Sequence, residues 1–117
     1  MLDRPGTGNA AVLVSLNFGD PDYEESLHEL RQLAESAGLQ VLSSIEGKRA
    51  KPDAKYFLGS GKAEELSAAM RSVEAVVAVF NHDLTPSQQR NLERLLERRV
   101  VDRTGLILDI FATGAEP

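Results

Sequence analysis

Cysteine and tryptophan are both absent from the 117 residues. Without cysteine there is no disulfide, no thiolate metal site and no thiol nucleophile, and the composition accords with a cytoplasmic protein. Two histidines offer little to a metal ion, and none is expected. No apolar run approaches the ~18 residues that would read as a transmembrane helix. The first residues, Met1-Leu2-Asp3-Arg4-Pro5-Gly6, lack the basic and apolar regions of a signal peptide. Positive charge is also in short supply. Thirteen basic residues face 18 acidic ones, for a net charge of −5. That excludes a globally basic nucleic-acid binder but leaves room for a local basic patch.

What is present reads as one α/β domain. Residues 1–9, with Pro5, Gly6 and Gly8, read as a flexible leader. Ala10 to Leu16 is short, apolar and rich in β-formers, as in a strand buried on both faces. Asp22 and Glu25 form a candidate capping pair for a helix carrying Leu27, Leu30, Leu33, Ala34 and Ala37, which Gly38 stops. Gln40 to Ile45 is a second strand, residues 47–55 a flexible polar loop, and Tyr56 to Leu58 a short third strand at an edge or paired antiparallel. A helix follows Gly59-Ser60-Gly61, with Ala63, Leu66, Ala69, Met70 and Val73 on one face. Ala75 to Phe80 is the clearest buried strand. Thr85, Pro86 and Gln88 are a cap, a first-turn proline and the far side of a capping box. Leu92, Leu95 and Leu96 face inward on that helix, while Arg90, Arg94 and Arg98 recur every four residues on its other side. Val100-Val101 is a last short strand, and Leu106 to Phe111 an apolar helix start. Alternation of this kind implies an α/β fold with a mainly parallel, four- to five-stranded open sheet flanked by helices. The domain spans residues 10–102, with 103–117 the truncated start of a linker or helical subdomain.

Three constellations bear on chemistry. Gly59-Ser60-Gly61-Lys62 is reminiscent of a phosphate loop, but Tyr56 occupies the position of the first glycine and Ala63 that of the Mg²⁺-binding hydroxyl. What survives is a glycine turn opening a helix, whose free N–H groups and Lys62 suit an anion. The alternative is a tight strand-to-helix turn that needs glycine for its backbone angles. The second constellation is a charge split. Residues 20–46 carry seven carboxylates and one arginine, whereas Lys48, Arg49, Lys51, Lys55 and Lys62 face only Asp53 between 47 and 62. The basic stretch suits a phosphate backbone or, equally, a solvated loop. The third, His82-Asp83, follows the strongest strand at the edge where α/β folds place ligands. It has no nucleophile or metal-ligand companion, so no catalytic residue is assigned.

Tyr56-Phe57-Leu58-Gly59-Ser60-Gly61-Lys62, Leu84 to Arg94 (LTPSQQRNLER) and Val101 to Ala112 (VDRTGLILDIFA), in that order and spacing, resemble the N-terminal domain of the HflX family of ribosome-associated GTPases. The resemblance runs from about residue 10 to Ala112. It implies a longer parent in which this α/β piece precedes a helical hairpin and a G domain holding GTP and Mg²⁺. It also implies docking on the large ribosomal subunit and its rRNA, and a role in splitting or rescuing ribosomes under stress. After Ala112 the chain departs from the family's basic helix and reads Thr113-Gly114-Ala115-Glu116-Pro117. The 117 residues show neither a Walker A nor an Asn-Lys-x-Asp motif, so this chain is expected to bind no cofactor of its own and not to be an enzyme. Charge placement nominates Lys48, Arg49, Lys51 and Lys55, with Gly59, Ser60, Gly61 and Lys62, as the RNA- or anion-facing residues. A small phosphate or nucleotide site between Gly59–Lys62 and Asn81–Asp83 is the alternative, as is an inactive fragment. The apolar C-terminal segment makes self-association a further expectation.

Overall fold

A computed structural model describes residues 8–114, and for residues 111–114 the backbone alone. All but the last two residues of the expected leader, and residues 115–117, lie outside the described residues. The elements run β1 (Ala10–Asn17), α1 (Tyr23–Ser36), β2 (Gln40–Lys48), α2 (Ser60–Val73), β3 (Val77–Phe80), α3 (Pro86–Leu96), β4 (Arg99–Val101) and α4 (Arg103–Gly114). The strands form one parallel sheet in the order β2-β1-β3-β4, as an α/β fold with a parallel sheet requires.

β1 is central and buried along nearly its whole length, which is why its sequence is apolar without alternation. Its side chains serve two cores. Val12, Val14 and Leu16 point to the face covered by Ala63, Leu66 and Met70 of α2 and Leu92 and Leu96 of α3. Ala11 and Leu13 point to the other face, beneath Leu30 and Ala34 of α1 and Leu106 of α4. The apolar C-terminal segment thus has partners inside the domain through Leu106. The caps differ. Thr85 accepts from the Gln88 amide at 3.1 Å while Gln88 returns a bond to the Thr85 amide at 2.9 Å, completing the expected box. Asp22 sits at the N-cap of α1 but its side chain caps nothing, so the expected Asp22–Glu25 pair does not form.

Two local expectations are corrected. Tyr56–Leu58 is not a strand. Only an isolated antiparallel bridge joins Asp53 to Phe57. Phe57 adopts a φ of 69°, and the Leu58 amide donates to the Tyr56 carbonyl at 2.7 Å, closing a γ-turn. The reason is burial: the Phe57 ring packs edge-on against Phe18 and Phe80 and beside His82, and a flat strand would aim it elsewhere. The other correction concerns residues 47–55. Gly47 and Lys48 extend β2, pairing with Leu16 and Asn17. The rest of the segment is fastened down by hydrogen bonds. Arg98 also leaves the arginine row, because α3 ends at Leu96 and its guanidinium turns to the carbonyls of Ala75 and Glu97.

Candidate functional site

The basic segment and the start of α2 meet at the carboxyl end of β2. Gly59 is the N-cap of α2, with φ 91° and ψ 155°, a conformation open essentially to glycine alone. No side chain caps the helix. The first helical bond runs from Ala63 N–H to the Gly59 carbonyl at 2.9 Å, which leaves the amides of Ser60, Gly61 and Lys62 pointing outward. Arg49 lies over this turn: a Cβ built on Gly59 would stand 2.8 Å from its Nη1. Lys62 folds back across Gly47, where a Cβ would stand 3.0 Å from its Cε, and pairs with Glu65 at 3.3 Å. Gly61 differs, since a Cβ there would meet nothing within 4 Å and its φ is ordinary. Gly59 is therefore required by the turn itself, whereas no internal contact requires Gly61.

The loop carrying Lys51 and Lys55 is built rather than loose. The Asp53 carboxylate accepts from the amides of Tyr56 at 2.8 Å and Lys55 at 3.0 Å. These backbone donors, with help from Arg49 and Lys55, hold the Asp53 carboxyl below its ordinary value. Helix α3 grips the loop from below: Gln88 Nε2 donates to the Asp53 carbonyl at 2.8 Å and Asn91 Nδ2 to that of Lys55 at 3.2 Å. The Lys55 ammonium stands 5.2 Å from the centre of the Tyr56 ring. Arg49 Nε reaches back to the Lys51 carbonyl at 3.0 Å. Lys48, Arg49, Lys51 and Lys55 are all exposed, and among the described residues none of them is in an ion pair. One edge of the molecule thus presents fixed positive charge and free backbone donors together, which is what an extended polyanion needs.

The ligand crevice usual in open α/β sheets is filled by the protein's own side chains. It lies between β1 and β3, where the chain leaves for opposite faces. On one side stand Phe18, Phe57, Phe80 and His82. His82 Nε2 accepts the Leu16 amide at 2.9 Å, so that nitrogen carries no proton. Burial pushes the His82 pKa below its ordinary value, with Arg103 adding to the effect. On the other side Asn81 donates to Ser15 Oγ at 3.1 Å and Ser26 Oγ at 3.0 Å, and its carbonyl oxygen accepts from Arg103. Tyr23 donates to Glu46 at 2.8 Å, and burial raises its pKa to about 12. Lys62 and His82 are thus engaged in separate arrangements. Among the described residues no cluster of three or more histidine and carboxylate side chains is placed to hold a metal, and no helix is long and apolar enough to cross a membrane.

A family described as "GTP-binding GTPase N-terminal" matches residues 24–112. The chain belongs to the HflX family, as its N-terminal domain. It is 50% identical over 115 residues to GTPase HflX of Escherichia coli strain K12, a match covering 98% of this chain and 27% of that protein. It is 53% identical over 91 residues to GTPase HflX of Magnetococcus marinus, covering 76% and 21%. The chain thus spans about a quarter of the length of the curated HflX relatives it matches. The fold is shared with a solved GTP-binding protein of Sulfolobus solfataricus in complex with GDP, at TM-score 0.68 and 25% identity over 89% of this chain and 30% of that one.

The residues that sequence reasoning missed sit at the start of α4. In the HflX-like run Val101 to Ala112, Asp102 is the cap of α4, Arg103 enters the polar crevice and Thr104 reaches Asp83. An Asp followed three positions later by the first free amide is a readable cap signal. The partners of Arg103 lie 22 to 77 residues away and leave no local trace.

Proposed function

We propose that this chain is the part of an HflX-like GTPase that docks on the large ribosomal subunit, gripping rRNA phosphates through the basic edge. The reading rests on one observation: Lys48, Arg49, Lys51, Lys55, Lys62 and the open amides of α2 share one edge of a protein whose net charge is −5. Fixing these cations in advance lowers the ordering cost of binding a polyanion. Within that reading GTP and Mg²⁺ belong to a G domain elsewhere in the parent protein, this chain does no catalysis, and it works in the cytoplasm in ribosome splitting or rescue under stress. The helical hairpin and G domain of that parent are its covalent partners.

Cosedimentation of the chain with large subunits at low and moderate salt tests the proposal. Binding should weaken steeply with salt, and the charge reversal Lys51→Glu with Lys55→Glu should weaken it and flatten its salt dependence by about two phosphate contacts. Absence of binding at low salt and high protein concentration, or equal binding by the double variant, would refute it.

A further inference from the structure

Helix α4 is held to the domain by a thin apolar seam and a dense polar one. Leu106 is fully buried and Ile110 half-buried, but Leu108 is 61% exposed and Ile107 36%. Clefts flank the helix. One of about 340 Å³ lies beside Leu39, Val77 and Leu106, and one of about 240 Å³ beside Leu33, Ser36 and Arg103. The polar seam is concentrated in three consecutive residues. Asp102 accepts from the amides of Leu84 at 3.1 Å and Gly105 at 2.9 Å. Arg103 Nη1 donates to Asn81 Oδ1 and approaches the carbonyl and hydroxyl of Ser26 at 3.4 Å, while its Nη2 donates to Glu29 at 3.1 Å. Thr104 donates to Asp83 at 2.8 Å. The start of α4 is thereby tied to α1, to the end of β3 and to the loop entering α3.

Two features distinguish this arrangement from ordinary core packing. The Arg103 side chain is 27% exposed, so water can compete for its partners. Its release would also uncover little apolar surface, because α4 buries little. The helix can therefore leave the sheet while both cores stay closed. The relatives are roughly four times as long as this chain, and the family description puts the matched segment at their N-terminus, so the remainder is joined through α4.

We propose that Asp102, Arg103 and Thr104 form a latch that sets the direction in which α4 leaves the sheet, and hence where the rest of an HflX chain is carried relative to this domain. Arg103 is the positioning residue. Its planar fork serves Asn81 and Glu29 with separate nitrogens, which a single ammonium cannot do. The latch is independent of whether the basic edge binds RNA.

Hydrogen exchange of the intact chain, read by mass spectrometry, tests it. In Arg103→Gln and in Arg103→Lys, amides 106–110 should exchange at least tenfold faster, with β1 and β3 amides within twofold of their original rates. Thr104→Val, which removes only the bond to Asp83, should give a smaller acceleration confined to the same amides, and it serves if the arginine variants do not fold. Unchanged protection of α4 in these variants would overturn the proposal. So would acceleration of β1 and β3 in step with α4, because Arg103 would then be part of the global fold.

Discussion

Replacing Gly59 by alanine tests the geometry of the α2 turn directly. The residue holds φ 91° and ψ 155°, where an L side chain is strained by about 1–3 kcal/mol. The added Cβ would also approach Arg49 Nη1 to 2.8 Å, but that is the far end of a flexible side chain and can swing away cheaply. The expected loss is therefore about 2 kcal/mol, nearly all of it backbone strain. For a domain of this size that corresponds to a melting temperature lower by roughly 10 °C. Gly61→Ala is the control. Its Cβ enters open space at an ordinary φ inside the first turn of α2, so stability should hold or rise by about 0.5–1 kcal/mol. Urea denaturation of the two variants, with Gly59→Ala repeated on an Arg49→Ala background, separates strain from contact. Equal effects at Gly59 and Gly61, a Gly59→Ala cost below about 0.5 kcal/mol, or full rescue by Arg49→Ala would refute the reasoning.

Acid should weaken the fold through His82. Its folded pKa lies below the ordinary 6.5, so the unfolded chain binds the proton more readily, and the stability it contributes is present above pH 6.5 and lost as pH falls below it. Urea midpoints between pH 7.5 and 5.5 should fall less in His82→Gln, and equal slopes would refute this. Alkali acts through Tyr23, whose pKa of about 12 means its contribution is intact below pH 10 and lost as pH rises through 12. Ultraviolet titration should show one of the two tyrosines ionising near pH 12, and both ionising together near 10 would contradict the buried hydroxyl. Thr85→Ala removes the acceptor for the Gln88 amide and should cost about 1 kcal/mol by thermal melting, whereas an unchanged melt would mean the box is not formed in solution.

The short-range features of this domain are written in adjacent residues. An unbroken apolar run marks β1, Gly38 takes the positive φ that ends α1, and Thr85 and Gln88 cap α3, because periodicity and capping act over a few positions. The uneven charge along the chain and the resemblance carried by the Val101–Ala112 run are equally local. Tertiary structure alone decided which strands are neighbours, and everything that follows from strand order. It turned Tyr56–Leu58 from a strand into a γ-turn, because a buried phenylalanine ring outweighs local β-propensity. It fastened the basic loop to α3 through Gln88 and Asn91, and it joined Arg103 to Ser26 across 77 residues. Such bonds depend on distances that exist only once the sheet is assembled, so no spacing in the chain announces them.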